Sequence, residues 1–310
     1  MDFWKTLTYR WGKEELKKWT SFRKTVYILF PLLVYFVAHD AAEIVLWALA
    51  EAVIGSSGEK VFSFFSENAY TLQGLINALA ALLGAAAVFP AVKNELSAEE
   101  NKGKELSRER KQEQPEKEGR SGKTKVNADR ITAYCFLAAF ACCVSIGLNI
   151  FFYQTGFTGS SQSYDKVYEL QYGVQFAIGL FLYGIISPLA EEAIFRGLIY
   201  NRMKRCFGFG IALVLSAVLF GAYHGNLVQA VYGSILGILI AYFYELFKDF
   251  TVPVLFHGIA NISVYALTYR SNPEFVSRKI ALATGTIMLA ASILIFFYLK
   301  RKLGKEEKTI

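Results

Sequence analysis

The chain has 310 residues, 54% of them hydrophobic, with 33 Lys/Arg against 26 Asp/Glu and a formal net charge of +7. Its mean hydropathy is +0.32, more than a soluble domain of this size usually carries, which points away from a water-soluble globular protein and toward the lipid bilayer. The four cysteines form no Cys-x-x-Cys spacing, so neither a structural zinc site nor a disulfide framework is expected, and they read as small packing residues.

Residues 1–24 lack the short apolar run and small-residue cleavage site of a signal peptide. Trp4, Leu7, Trp11, Leu16 and Trp19 recur at near-helical spacing among seven Lys/Arg, which predicts a basic amphipathic helix lying in the headgroup region. Apolar runs of roughly 20 residues then predict about eight transmembrane helices, near 26–48, 70–92, 131–153, 171–195, 208–224, 227–246, 252–268 and 280–299. The fold class expected is all-α and polytopic. The first two spans fill 25–92 and a catalytic core fills 131–299, with a basic tail over 300–310.

His39, Asp40 and Glu43 interrupt the first span, and His39 and Glu43 are spaced i,i+4 for pairing. Either the helix leaves the membrane near Ala38 or these groups face the bundle interior; we read them as a polar structural patch rather than a second catalytic site. Residues 93–130 carry 11 Lys/Arg and 9 Asp/Glu with almost no large apolar residue, predicting a solvated linker. Its near-balanced charge argues against nucleic acid as a partner. The N-terminal arm, this linker, Arg202–Arg205 and Lys300–Lys302 share one side if eight spans are threaded, which puts both termini in the cytoplasm. Arg270, Arg278 and Lys279 dissent from that pattern. Gly233 and Gly237 form a small-xxx-small pair, read as internal packing in preference to a dimer face; the oligomeric state stays open.

Chemistry concentrates in three places. Pro188-Leu-Ala-Glu-Glu-Ala-Ile-Phe-Arg196 sets Glu191 and Glu192 side by side at the end of an apolar run. Ionisable groups at membrane depth cost roughly 2.5–3.5 kcal/mol each even on the mildest scale, so they are functional candidates. Glu192 and Arg196 are spaced i,i+4 and predict an ion pair; Glu191 points about 100° away and lacks that partner. Phe220-x-x-x-His224 and His257-x-x-x-Asn261 each place two residues on one helical face. A desolvated carboxylate, two imidazoles and a carboxamide form a hydrolytic set: a general base, a water-orienting imidazole and two oxyanion donors. Depth is a difficulty, because His224 lies far along its span from the basic cluster at 202–205 whereas His257 lies near the start of its own. A break at Gly197, Gly208 or Gly210 would relieve it.

Glu-Glu-x-x-x-Arg, Phe-x-x-x-His and His-x-x-x-Asn, in this order, resemble the three motifs of the type II CAAX prenyl protease family, which includes the bacterial CPBP or ABI membrane proteins. The resemblance covers roughly 171–265 and every defining position is matched. It implies an intramembrane endopeptidase of a bacterial cell membrane acting on a lipidated or membrane-associated peptide. Glu191 and His224 would handle water, His257 and Asn261 would stabilise the oxyanion, and Glu192, Arg196 and Phe220 would support them. A non-catalytic peptide-binding or bacteriocin-immunity scaffold is the alternative; a transporter would show an internal repeat. No cofactor is expected, with zinc on Glu191, His224 and His257 as the alternative. Against zinc stand the lack of a helical metalloprotease motif and the pairing of Asn261 with His257, which suits oxyanion donation better than a metal ligand backed by a carboxylate.

Overall fold

A computed structural model describes residues 3–113, 120–270 and 277–308, with side chains described over 4–101, 129–159, 161–269 and 277–303. Two short helices, α1 (Phe3–Thr8) and α2 (Lys13–Lys17), precede α3 (Ser21–Gly55), α4 (Glu59–Glu67), α5 (Ala69–Glu113), α6 (Arg120–Gln154) and α7 (Gln162–Tyr172). A continuous run, α8 (Phe176–Phe207), follows. The chain closes with α9 (Phe209–Tyr223), α10 (Leu227–Phe247), α11 (Thr251–Arg270) and α12 (Arg278–Lys308). The described residues contain no strand.

Seven of these helices are long and apolar enough to cross a membrane: α3, α5, α6, α8, α10, α11 and α12. The eighth expected span, α9, is apolar but has 15 residues, a rise of roughly 22 Å. The span expected from residue 171 instead begins at Phe176, because Tyr172 ends α7 and the chain turns at Gly173. Ends are set by local chemistry. Thr20 and Asn226 accept hydrogen bonds from the N–H groups of Arg23 and Gln229 at the starts of α3 and α10. Gly208, at φ 85°, reverses the chain between α8 and α9.

The bundle exposes apolar side chains to its surroundings and buries charged ones among an apolar core. Large apolar side chains such as Ile44 and Leu294 are exposed, whereas Arg196 and Arg202 are the largest fully buried ones. One apolar cluster joins α1, α2, α3, α5, the second half of α8 and α9. Another joins α6, α11 and α12. Helix α10 contributes to both, with Ala241 and Tyr244 in the first and Leu236, Ile240 and Phe243 in the second. Along this seam, a Cβ on Gly237 would meet Ala217 Cα and Arg196 Nη2 at 3.1 Å, so the small-xxx-small pair is used internally.

Two readings of the polar segments change. Leu7, Leu16 and Trp19 are buried against the bundle, so much of the apolar face of this segment packs on protein. Arg202 holds them there, donating to the carbonyls of Thr6, Leu7 and Tyr27. The stretch from Lys93 is a continuation of α5, not a linker at its outset. Glu95 is 1% exposed and receives hydrogen bonds from Tyr27, Arg202 and Arg205, with Arg10 3.4 Å away. Carboxylates read as solvated are neutralised by arginines read as markers of the cytoplasmic side. Residues 114–119, and the side chains of 102–128, lie outside the described residues.

Candidate active site

Helix α8 carries two π-helical turns, Leu182–Ile186 and Phe195–Tyr200, which bracket Glu191 and Glu192. Single π-turns recur at functional sites because they shift register and free backbone groups. Here the cause is legible: Ser187 N–H bonds the Leu182 carbonyl, five residues back, and the next residue, Pro188, has no N–H to give. The Tyr183 carbonyl is therefore left without a helical donor, and Asn261 Nδ2 of α11 supplies one at 2.9 Å. The backbones meet closely at this point, since a Cβ on Gly258 would collide with the Gly184 carbonyl. No break occurs at Gly197; it lies within the second π-turn, and the chain reverses only at Gly208.

The depth difficulty resolves through α10. Tyr200 and Lys204 both donate to Glu245 Oε2, at 2.9 and 3.0 Å, so α10 ends beside the last turns of α8. His257, six residues into α11, thus reaches the level of Glu192. The predicted ion pair forms, Arg196 Nη1 to Glu192 Oε1 at 2.9 Å with both side chains fully buried. Arg196 Nη2 also donates to the Gly237 carbonyl at 3.1 Å, and its guanidinium lies 4.5 Å from the Phe220 ring centroid. Glu192 Oε1 has a second partner that the spacing did not reveal, His257 Nδ1 at 2.8 Å.

That contact sets the other face of the imidazole. His257 Nε2 stands 3.8 Å from Glu191 Oε2, an oxygen that is buried without a hydrogen bond. Phe220 wedges between the histidines, its ring edge-on to His224 at 5.1 Å and to His257 at 5.5 Å. His224 Nδ1 lies 3.0 Å from the Phe220 carbonyl, which leaves its Nε2 unbonded. Glu191 opens onto a cavity of about 210 Å³ also lined by His39, Glu43, Tyr183 and Tyr223. His224, His257 and Asn261 are not among its lining residues.

Several of these groups escaped the sequence reading. Tyr223 hydrogen-bonds Tyr35 of α3, hydroxyl to hydroxyl at 3.2 Å, and its position beside His224 was the only hint. The expected pairing of His39 with Glu43 gives way to His39 Nδ1 with Asp40 Oδ1 at 2.9 Å. For a metal, Glu191, His224 and His257 do not converge. The set of ligating atoms that lies within 4.8 Å of one another, among the described residues, is His39, Asp40 and Glu43. One premise against zinc also falls, since His257 does have a carboxylate, Glu192, behind its Nδ1.

The Bacillus subtilis (strain 168) protein named "Putative membrane peptidase YdiL" is 26% identical over 157 residues, which cover 50% of this chain. The match spans 63% of that relative's length. No solved structure matches the chain significantly. The three motifs fall inside residues 173–263, and that segment matches the family described as type II CAAX prenyl endopeptidase Rce1-like.

Proposed function

We propose that the chain is a membrane-embedded endopeptidase of the CAAX type, hydrolysing a peptide bond of a lipidated or membrane-associated peptide with a water activated by Glu191. The carrying observation is the unequal bonding of adjacent carboxylates. Glu192 is committed to Arg196 and His257, whereas Glu191 lines a cavity and has one oxygen buried without a hydrogen bond. Glu191 takes the water proton and later returns it to the leaving amine. A proton on His257 Nδ1 donates to Glu192, which turns Nε2 toward Glu191 and the reacting atoms. When Nε2 is also protonated it donates to the developing oxyanion. Asn261 Nδ2 keeps a second N–H beyond the one given to Tyr183, and His224 Nε2 orients the water. General-base help of this kind contributes about 10²–10⁴-fold and a single oxyanion donor about 10²–10³-fold.

Because α10 ends beside the end of α8, we count α9 as an eighth crossing, and on that count the basic network around Arg10 and Arg202 goes to the cytoplasmic face with both termini. A cysteine at Lys18 labelled by impermeant maleimide in intact cells would reverse that orientation. The reaction is assigned no metal, so activity is expected to survive prolonged chelation. The decisive experiment compares membrane peptides from cells carrying the wild type or Glu191→Gln. An uncut precursor should accumulate only in the variant. Identical peptide profiles, with peptide still captured by the purified protein, would make this a non-catalytic binding or immunity scaffold.

A further inference from the structure

The cavity at Glu191 has a chemistry that hydrolysis does not require. Helix α3 contributes His39 and Glu43, one turn apart, α5 contributes Asn77, and α8 contributes Ser187 and Glu191. None of the lining residues is Lys or Arg. Glu43 makes no ion pair with any described residue, unlike Glu95, Glu99, Glu192 and Glu245, each of which meets a cation. Two carboxylates thus share a cavity with no Lys or Arg facing them, an arrangement that costs mutual repulsion unless a guest supplies positive charge.

The size and lining say what kind of guest. A volume of about 210 Å³ equals roughly seven waters at 30 Å³ each, far more than a bare metal ion fills. Asp40, the third member of the His39 cluster, is bonded to His39 Nδ1 with its side chain 69% exposed, and it does not line the cavity. What remains inside is a set of acceptors spread over three helices, suited to a group with several N–H donors. Small residues on one face of α5, Gly74, Ala78 and Ala81, leave the space open.

We infer that this cavity is a specificity subsite for a basic side chain, lysine or arginine, lying next to the scissile bond of the peptide substrate, with Glu43 as its counter-charge and His39 and Asn77 as further acceptors. The inference rests on the proposed peptidase reading, because it is Glu191 that joins the subsite to the reacting atoms.

The test uses the full chain in lipid nanodiscs and lipid-anchored hexapeptides that differ at one position, scanned along the peptide, as lysine, arginine, norleucine or glutamate. Binding is read by fluorescence anisotropy on backbone N-methylated versions, and cleavage on unmethylated ones. At one position, lysine and arginine should bind about tenfold more tightly than norleucine, the scale of one charge-assisted hydrogen bond. Glu43→Gln should erase that preference while leaving norleucine binding unchanged, and Glu43→Asp, which keeps the charge, should retain it. Equal binding of lysine and norleucine at every position, or a preference that survives in Glu43→Gln, overturns the subsite. So does stoichiometric zinc bound by the wild type and lost in Glu43→Gln, which would make the guest a metal ion. If the preference holds but no peptide is cut, the peptidase reading fails and the subsite stands. If peptides are cut regardless of charge, the reverse follows.

Discussion

Glu95 and Glu192 are both buried carboxylates held by arginine, one where the N-terminal helices meet α8 and the other where α8 meets α11. Around Glu95, one carboxylate gathers Arg10, Arg202 and Arg205, both oxygens are engaged, and Tyr27 completes the set. Around Glu192, two adjacent carboxylates meet a single arginine, which pairs with Glu192 alone, and one oxygen of each is buried without a hydrogen bond. Surplus cation marks a structural knot; surplus anion with unbonded oxygens marks a place prepared for something absent from the resting fold. Both regions draw arginines from α8, so neither burial nor the presence of arginine tells them apart. Saturation does.

The largest way to break the contrast is Glu191→Gln. It should lower peptide cleavage by at least about 10²–10⁴-fold without moving the thermal midpoint in detergent, because Glu191 holds no element together. An equal fall in midpoint would return Glu191 to a structural role. Next comes a matched pair, Glu95→Gln and Glu192→Gln. Each leaves buried arginine without its anion and should cost about 3–5 kcal/mol, the usual penalty for removing one partner of a buried pair. The cost should be greater at Glu95, where Arg202 and Arg205 both lose their carboxylate while Arg10 keeps Glu99. Cleavage per folded molecule should separate them: unchanged for Glu95→Gln, and reduced for Glu192→Gln because the acceptor of His257 loses its negative charge. Unfolding curves with active-site titration of the folded fraction would test both.

The smallest effect concerns Asp249, between α10 and α11. Burial opposes its ionisation, but hydrogen bonds from Tyr134 and Thr251 and the charge of Arg130 hold its carboxyl below the ordinary range. A depressed folded value means the stabilisation is complete above the unfolded carboxylate range and fades as pH falls below about 4. Asp249→Asn should lower stability at neutral pH by less than about 1 kcal/mol, since the pair with Arg130 is largely exposed. The difference between wild type and variant should shrink on acidification; a difference that grows would contradict the assignment.

Sequence patterns made much of this visible because lipid imposes long, uniform signals. The apolar runs located the spanning helices, and i,i+4 spacing found Glu192 with Arg196. What spacing cannot register is contact between helices. The Glu192 to His257 hydrogen bond joins residues 65 apart in the chain, and Glu95 reaches Arg205 across 110. A stretch dense in charge reads as solvated when each charge is counted alone. Lys93 onward was misjudged for that reason, and the spacing in the N-terminal arm gave no sign of its contacts with Arg202, nearly 200 residues away. His39 and Glu43 were legible as an anomaly, but only the approach of α5 and α8 shows that they face the same space as Glu191.

Pro188 acts through what it withholds. An ordinary residue there would offer an N–H to the Tyr183 carbonyl, and α8 would close on itself with nothing to ask of its neighbours. By leaving one oxygen uncourted, the proline turns a local vacancy into an address, and Asn261 answers it from α11. The angular setting of α11, and with it the aim of His257 one turn earlier, is thereby written into a residue with no N–H to offer. Helix α8 recruits its partner by incompleteness, so a substitution that made its backbone more self-sufficient would loosen the alignment of the two histidine-bearing walls.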